Sequence, residues 1–196
     1  MSTSWNAYYS RTNAREPSSS LQGAVLLLPQ SSEKTALDLG CGAGVETRFL
    51  LEQGFRVTAV DRQTDMLEYL LSLPSQHRLQ VIHTSFETLA FDRYDLIHAR
   101  HSLPFLAPES FRAVWKSIQS ALNPGGVFVG TFFGPHDGWW QAHHHHMTFL
   151  ERSQVEALMG HWHIIELVEQ ENDAKTALGE EKHWHIFHVI AQCTRA

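Results

Sequence analysis

The chain has 196 residues, with 15 Lys and Arg against 21 Asp and Glu, a formal charge of −6 with histidine neutral. Its 43% hydrophobic content, with 12 Gly and 7 Pro, excludes a disordered or collagen-like chain and suits one packed domain. The acidic balance argues against a broad phosphate-binding surface, so no nucleic-acid partner is expected.

The two cysteines, Cys41 and Cys193, cannot build a disulfide framework and fit a reducing compartment. The N-terminus lacks the basic and apolar regions of a signal peptide, and no apolar run approaches the about 18 residues of a membrane span. No membrane partner and a cytoplasmic location are expected. The 14 histidines nearly equal Lys and Arg together. Any pH near the ordinary imidazole value of about 6.5 therefore changes the surface charge strongly.

The chain opens with an aromatic and cationic stretch, Trp5, Tyr8, Tyr9, Arg11 and Arg15, followed by a helix-like segment from Ser20 to Leu28. Strand-like and helix-like segments then alternate. Strands are predicted over Thr35–Leu39, Arg56–Val60, Leu79–His83, Tyr94–His98 and Gly126–Phe133. Helices are predicted from Val45 to Gln53, Thr64 to Leu73 and Pro108 to Leu122. This rhythm specifies βαβ units and a parallel sheet. Later, Ser153 to Glu156 reads as a capping box for a short helix ending at Met159. Strand-like runs at His161–Gln170 and Lys182–Cys193, joined by a polar stretch containing Gly179, predict a hairpin and an antiparallel last strand.

The strand-to-helix turn Asp38-Leu-Gly40-Cys41-Gly42-Ala-Gly44 carries most of the functional information. Glycines there permit positive φ and a ligand pressed onto the main chain. The spacing is not a dinucleotide fingerprint, since the third position counted from Gly40 is Val45, and the Gly-Lys-Ser/Thr of a P-loop is absent. A carboxylate at Asp38 suits a cationic ligand end rather than a pyrophosphate. Asp61, ending the second strand, suits hydrogen bonding to ribose hydroxyls, although it would serve equally as a helix N-cap.

Through Asp38–Gly44, Val57-Thr-Ala-Val-Asp61 and Asn123-Pro-Gly-Gly126, the chain resembles the class I S-adenosylmethionine-dependent methyltransferases. The resemblance implies a Rossmann-like, doubly wound seven-stranded α/β sheet, order 3-2-1-4-5-7-6, with the last strand antiparallel and helices on both faces. It implies S-adenosyl-L-methionine as cofactor and S-adenosyl-L-homocysteine as product. Gly40, Cys41, Gly42 and Gly44 would line the methionine moiety, Asp38 would reach its ammonium directly or through water, and Asp61 would hold the ribose, with Arg62 and Ala99 alongside. Met66 would pack near the adenine. Where the family carries an acid for the adenine amine, Ser85 and Phe86 stand instead. Phe133–Trp140, Met147–Phe149, Thr176–Gly179 and Lys182–His188 look like a bacterial branch grouped with the tellurite-resistance methyltransferases.

One domain over 1–196 is thus expected: an N-terminal cap segment at 1–30, a cofactor-binding core at 35–133, a histidine-rich loop at 134–147 and a hairpin at 161–193. The partner is a small-molecule acceptor, positioned by Arg100, His101 or Tyr9, with His136 also a possible base. His98 reads as an interior histidine. Ten of the 14 histidines lie at or after His136, including the run His143–His146. No acid or cysteine stands at a zinc-ligand spacing beside them, so no specific metal site is expected. A non-catalytic cofactor-binding or metal- and pH-sensing module is the alternative, and a nicotinamide dehydrogenase is weak on glycine spacing.

Overall fold

The computed structural model describes residues 5–29, 33–64, 69–73 and 76–194. Met66 lies outside the described residues, as does the Trp5 side chain.

Seven strands form one sheet: β1 (Thr35–Leu39), β2 (Arg56–Asp61), β3 (Leu79–His83), β4 (Tyr94–Ala99), β5 (Leu122–Phe133), β6 (His163–Lys175) and β7 (Glu181–Gln192). Their order is β3-β2-β1-β4-β5-β7-β6, as the resemblance implied. β1 to β5 are mutually parallel, and β7 runs antiparallel to both β5 and β6. The central strands β1, β2 and β4 are buried almost throughout, because parallel strands carry helices on both faces.

Alternate residues of each strand feed two cores. Ile97, Phe128, Phe132 and Phe187 face one side, where they meet Phe111, Trp115 and Ile118 of α4 (Pro108–Ala121) and Val155 of α6 (Arg152–Met159). Leu96, Val127, Val129 and Ile190 face the other, against α2 (Ser19–Leu26) and α3 (Val45–Glu52). α1 (Trp5–Thr12) lies in front of the glycine loop, and α5 (Trp140–His143) is a single turn within the histidine-rich segment, which is therefore not wholly a loop.

The strand bounds differ from expectation by more than one residue at three places. β5 begins at Leu122, since Asn123–Gly126 stays in the strand as a bulge opposite Tyr94 and Leu96, with Gly125 at φ 75 donating its N–H to Cys193. β6 extends through the polar residues to Lys175, because each finds a cross-strand partner: Glu171 opposite His185, Asp173 opposite His183, Lys175 opposite Glu181. It starts at His163 rather than His161, because a turn closed by Trp162 N–H to Met159 precedes it. The capping box of α6 is built from Glu151 and Gln154 instead of Ser153 and Glu156, since Glu151 holds extended backbone and both reciprocal hydrogen bonds form there.

Trp115 anchors the α4 core. Its ring is 4% exposed, meets Phe128 edge-on at 5.1 Å between centroids and Trp162 at 5.7 Å, and its indole N–H donates to Leu158 at 3.1 Å. Trp115→Ala should cost about 3–5 kcal/mol, seen as a lower urea midpoint with an unchanged slope.

Candidate functional site

The chain runs outward from β1 through β2 to β3, then returns to place β4 on the other side of β1. Loops leaving the carboxyl ends of β1 and β4 diverge at such a reversal and open a crevice. Here the crevice is a cavity of about 510 Å³, walled by the glycine loop, the ends of β2 to β5, α1 and the tip of the β6–β7 hairpin.

The glycine loop is pinned from two sides. Gly40 and Cys41 donate their N–H groups to Val60 at 2.8 and 3.1 Å, which ties the loop to β2. Gly40 has φ 78, and a Cβ there would strike Ser102; Gly42 has φ 49, and a Cβ there would sit 3.1 Å from the Tyr9 ring. The glycines therefore admit Ser102 and Tyr9 as well as exposing backbone to the cavity. Gly44 is the N-cap of α3 and faces Leu70, outside the lining. Ala99 is buried within β4 and does not reach the cavity.

The two acids divide. Asp38 is 1% exposed and is not part of the lining: one oxygen accepts from His98 Nδ1 at 2.8 Å and the other from the Thr47 hydroxyl at 2.6 Å. It organises the crevice from beneath. Asp61 lines the cavity, where its oxygens accept the N–H groups of Gly42 and Gln63, each at 3.0 Å. Burial raises its pKa, partly opposed by those N–H groups. Arg62, Ser85, Phe86, Gly40, Cys41 and Gly42 share the wall with it. Burial, with Asp38 and Asp61 nearby, pushes the Cys41 thiol well up, so it stays protonated.

On the β4 side, Arg100, His101 and Tyr9 all line the cavity. Arg100 donates to Glu46 Oε1 at 3.2 Å, and Arg15 reaches both oxygens of Glu46 at 3.0 and 2.8 Å. Burial and then the Arg15 charge lower the Arg100 pKa, against the pull of Glu46. Glu46 was not singled out from the sequence. It follows the glycine loop in the first turn of α3, but its partners lie 31 and 54 residues away, beyond any local pattern.

His101 is the described non-glycine residue with positive φ, at 51, and its N–H is held by the Thr131 hydroxyl at 2.8 Å. Sparsely populated backbone of this kind concentrates at functional sites. Its Nδ1 and the Ser102 hydroxyl are buried polar atoms without a hydrogen-bond partner among the described residues. Burial, then Arg100, hold the His101 pKa well below the usual range, so the ring is neutral at pH 7. Beyond it the wall is aromatic: Phe105, Phe133, Trp139 and Trp184. His98 is interior as expected, bonded to Asp38, although its Nε2 finds no partner among the described residues.

The 134–147 segment contributes Trp139 to the lining, and the run His143–His146 lies outside it. The hairpin tip takes the larger share, with Lys175, Thr176, Ala177, Leu178 and Glu180. Arg11 of α1 donates to the carbonyl of Ala177 at 3.3 Å, joining cap to hairpin across the opening.

Residues 36–126 match the family described as methyltransferase domain. Over that stretch the chain is similar to S-adenosylmethionine-dependent methyltransferase domains, as the glycine-loop resemblance implied. It is 35% identical over 97 residues to the cypemycin N-terminal methyltransferase of a Streptomyces species, covering 48% of this chain and 40% of that protein. It is 30% identical over 100 residues to a carboxy-S-adenosyl-L-methionine synthase of Vibrio cholerae, covering 47% and 41%. The chain thus spans about 40% of the length of these curated relatives. In fold it is similar to the crystal structure of TehB from Haemophilus influenzae, with TM-score 0.76 and 17% identity over 96% of this chain and 67% of that one.

The crevice fits S-adenosylmethionine, the cofactor that the resemblance implies. A partly buried carboxylate faces the cavity at the end of β2, and two buried polar atoms beside the glycine loop, on His101 and Ser102, lack partners among the described residues. The volume lies within the about 300–1,000 Å³ usual for such ligands.

The depressed His101 pKa has a consequence for stability. The unfolded chain takes up a proton near pH 6.5 while the native ring does not. That share of stability is complete above the unfolded value and is lost as pH falls through it toward the native one. Melting temperatures measured from pH 7.5 to 5.5 should fall more steeply for the wild type than for His101→Asn, which cannot titrate and tolerates the backbone.

Proposed function

We propose that the protein transfers the methyl group of S-adenosylmethionine to a small molecule bound at the aromatic end of the cavity. The cofactor supplies an electrophilic methyl on a sulfonium. A lone pair on the acceptor forms the new bond to carbon as the carbon–sulfur pair returns to sulfur, leaving S-adenosylhomocysteine. Little covalent chemistry falls to the protein, whose work is orientation and the exclusion of water.

The observation that carries this reading is the polarity of one enclosed crevice. Asp61, Ser85 and Phe86 lie at its β2–β3 end, and Phe105, Phe133, Trp139 and Trp184 at its β5–β7 end. Asp61 accepts the ribose hydroxyls, with Arg62 beside it; Ser85 and Phe86 contact the adenine; Gly40, Cys41 and Gly42 present backbone to the amino-acid end. Asp38 positions that loop through His98 and Thr47 rather than touching the ligand. Arg15, Glu46 and Arg100 leave one net positive charge facing the cavity, suited to the cofactor carboxylate. Neutral His101, with Nδ1 unpartnered among the described residues, is the base for an acceptor that must shed a proton. Tyr9 packs the cap onto Gly42.

The enclosure and the formal charge of −6 favour a small acceptor over nucleic acid. Cys41 and Cys193 are both buried and outside any disulfide, which supports a reducing, cytoplasmic setting; among the described residues no helix is long and apolar enough to cross a membrane.

Calorimetric titration with S-adenosylmethionine tests the cofactor half. Asp61→Ala should weaken binding by about 10–100-fold, from the loss of hydrogen bonds to a charged acceptor. Unchanged affinity would overturn the assignment. Because the Asp61 pKa is raised and its ionised form accepts hydroxyls, wild-type affinity should fall on acidification while the carboxylate is still above the usual aspartate range. Asp61→Asn should flatten that dependence. Production of S-adenosylhomocysteine with thiol, amine, hydroxyl and chalcogen acceptors tests the catalytic half; binding without turnover on any of them would favour the sensor reading.

A further inference from the structure

We propose that the protein binds one divalent transition-metal ion through His136, Glu171 and His185, at the junction of the β6–β7 hairpin and the segment after β5. One ligand atom from each of these residues lies within 4.8 Å of the others. The site is separate from the cofactor crevice, whose lining includes none of the three.

Strand register assembles it. Glu171 and His185 are directly opposite each other across the hairpin, so their side chains share a face. His136 arrives from the segment after β5, and its ring stacks on that of His185 with centroids 4.9 Å apart and planes at 26°. His136 Nδ1 already sits 3.3 Å from Glu171 Oε2. Linear spacing hides this set, since its members stand 35 and 49 residues from His136.

His185 is held ready for a ligand role. Its side chain is 3% exposed, and its Nε2–H donates to Glu169 at 3.0 Å. That bond fixes the tautomer with the Nδ1 lone pair toward His136, whose backbone N–H it accepts at 3.2 Å; an ion at Nδ1 would take the place of that hydrogen bond. A carboxylate behind an imidazole whose other nitrogen is directed at a shared point is the arrangement metal-binding histidines use. Gly134 makes room for the ring, since a Cβ there would collide with His185. His136 and Glu171, at 66% and 41% side-chain exposure, are free to close on an ion.

The charge around the point also calls for a cation. Glu169, Glu171 and Asp173 project from one face of β6, where Arg152, among the described lysines and arginines, reaches Glu169 alone of the three, at 3.3 Å. His183 shares Asp173 at 2.7 Å and Glu171 at 3.2 Å, and so buttresses the ligand carboxylate. Two imidazoles and one carboxylate select zinc, cobalt or nickel over calcium or magnesium, which favour all-oxygen sets. The ion would fasten the segment bearing Trp139 to the hairpin bearing Trp184.

The run His143–His146 would bind metal weakly in any assay, so the test uses a full-length background variant with those four histidines changed to Gln. Titration with Co²⁺, followed by visible absorption, and with Zn²⁺, followed by calorimetry, should show one equivalent. His136→Gln and Glu171→Gln should each weaken binding by at least about 10-fold, Glu169→Gln by about 10–100-fold through the second nitrogen of His185, and Asp173→Asn little. His136 and Glu171 are exposed, so an unchanged circular dichroism spectrum without metal confirms that these variants fold. No stoichiometric binding in the background variant, or binding that survives His136→Gln and Glu171→Gln, would overturn the proposal. S-adenosylmethionine binding measured on the same variants reports separately on the crevice.

Discussion

Asp38 is a carboxylate enclosed on every side, and its two oxygens are satisfied by groups from two different elements: His98 of β4 and Thr47 of α3. A buried charge left unpaired costs far more than a hydrogen bond returns, so these contacts constrain where β1, β4 and α3 can lie. They meet where the strand order reverses, with Asp38 and His98 in direct register. The glycine loop leaves β1 from this fixed point and enters α3 at Gly44. With both ends held, its middle is positioned by Asp61, which takes the Gly42 N–H from the neighbouring strand. One acid thus holds the loop from beneath, and the other faces the cavity.

The opposite wall depends on a different buried charge. Lys182 of β7 donates to Asp137 at 2.6 Å, and Asp137 also accepts the N–H groups of Trp139 and His185 at 3.0 and 3.3 Å. The ammonium lies 3.5 Å from the Trp184 ring centroid and 4.3 Å from that of Trp139. Burial lowers its pKa while Asp137 supports the charged form. Such a pair contributes little net stability against an apolar equivalent, but it admits few alternative geometries. Its effect is to seat the segment after β5 on the hairpin, so that Trp139 and Trp184 face the same space with their rings 5.7 Å apart.

The parallel half of the fold was legible because its strands are short apolar runs closed by glycine, proline or acid, and each was placed to within a residue or two apart from the start of β5. Asp61 and the glycine loop were legible for the same reason: both mark strand ends. The hairpin was harder. Glu171 to Lys175 are polar because β6 is an edge strand with one face in water, and polarity alone reads as a loop. For Asp38, spacing locates a carboxylate at a turn but does not tell on which side of the backbone its partners, His98 and Thr47, wait. Glu46 and the hairpin tip were missed because their relevance is created by contacts between residues far apart in the chain. Nothing local distinguishes Glu46 from any acid favoured at a helix N-terminus.

These two walls differ in what they allow to vary. The Asp61 end is made largely of backbone and of side chains fixed by buried parallel strands, so its geometry is set by the register of β1, β2 and β4. The aromatic end is made of side chains carried by a hairpin tip, a connecting segment and the turn after β4, and a hydrogen bond from Arg11 to Ala177 spans its opening. Strand register shifts only in whole steps, each of which would turn the core faces over, whereas loop-borne rings can change singly. The fold therefore leaves more freedom to vary at the end beside His101 than at the Asp61 end. That asymmetry is what a scaffold needs when one ligand is common and the other is particular.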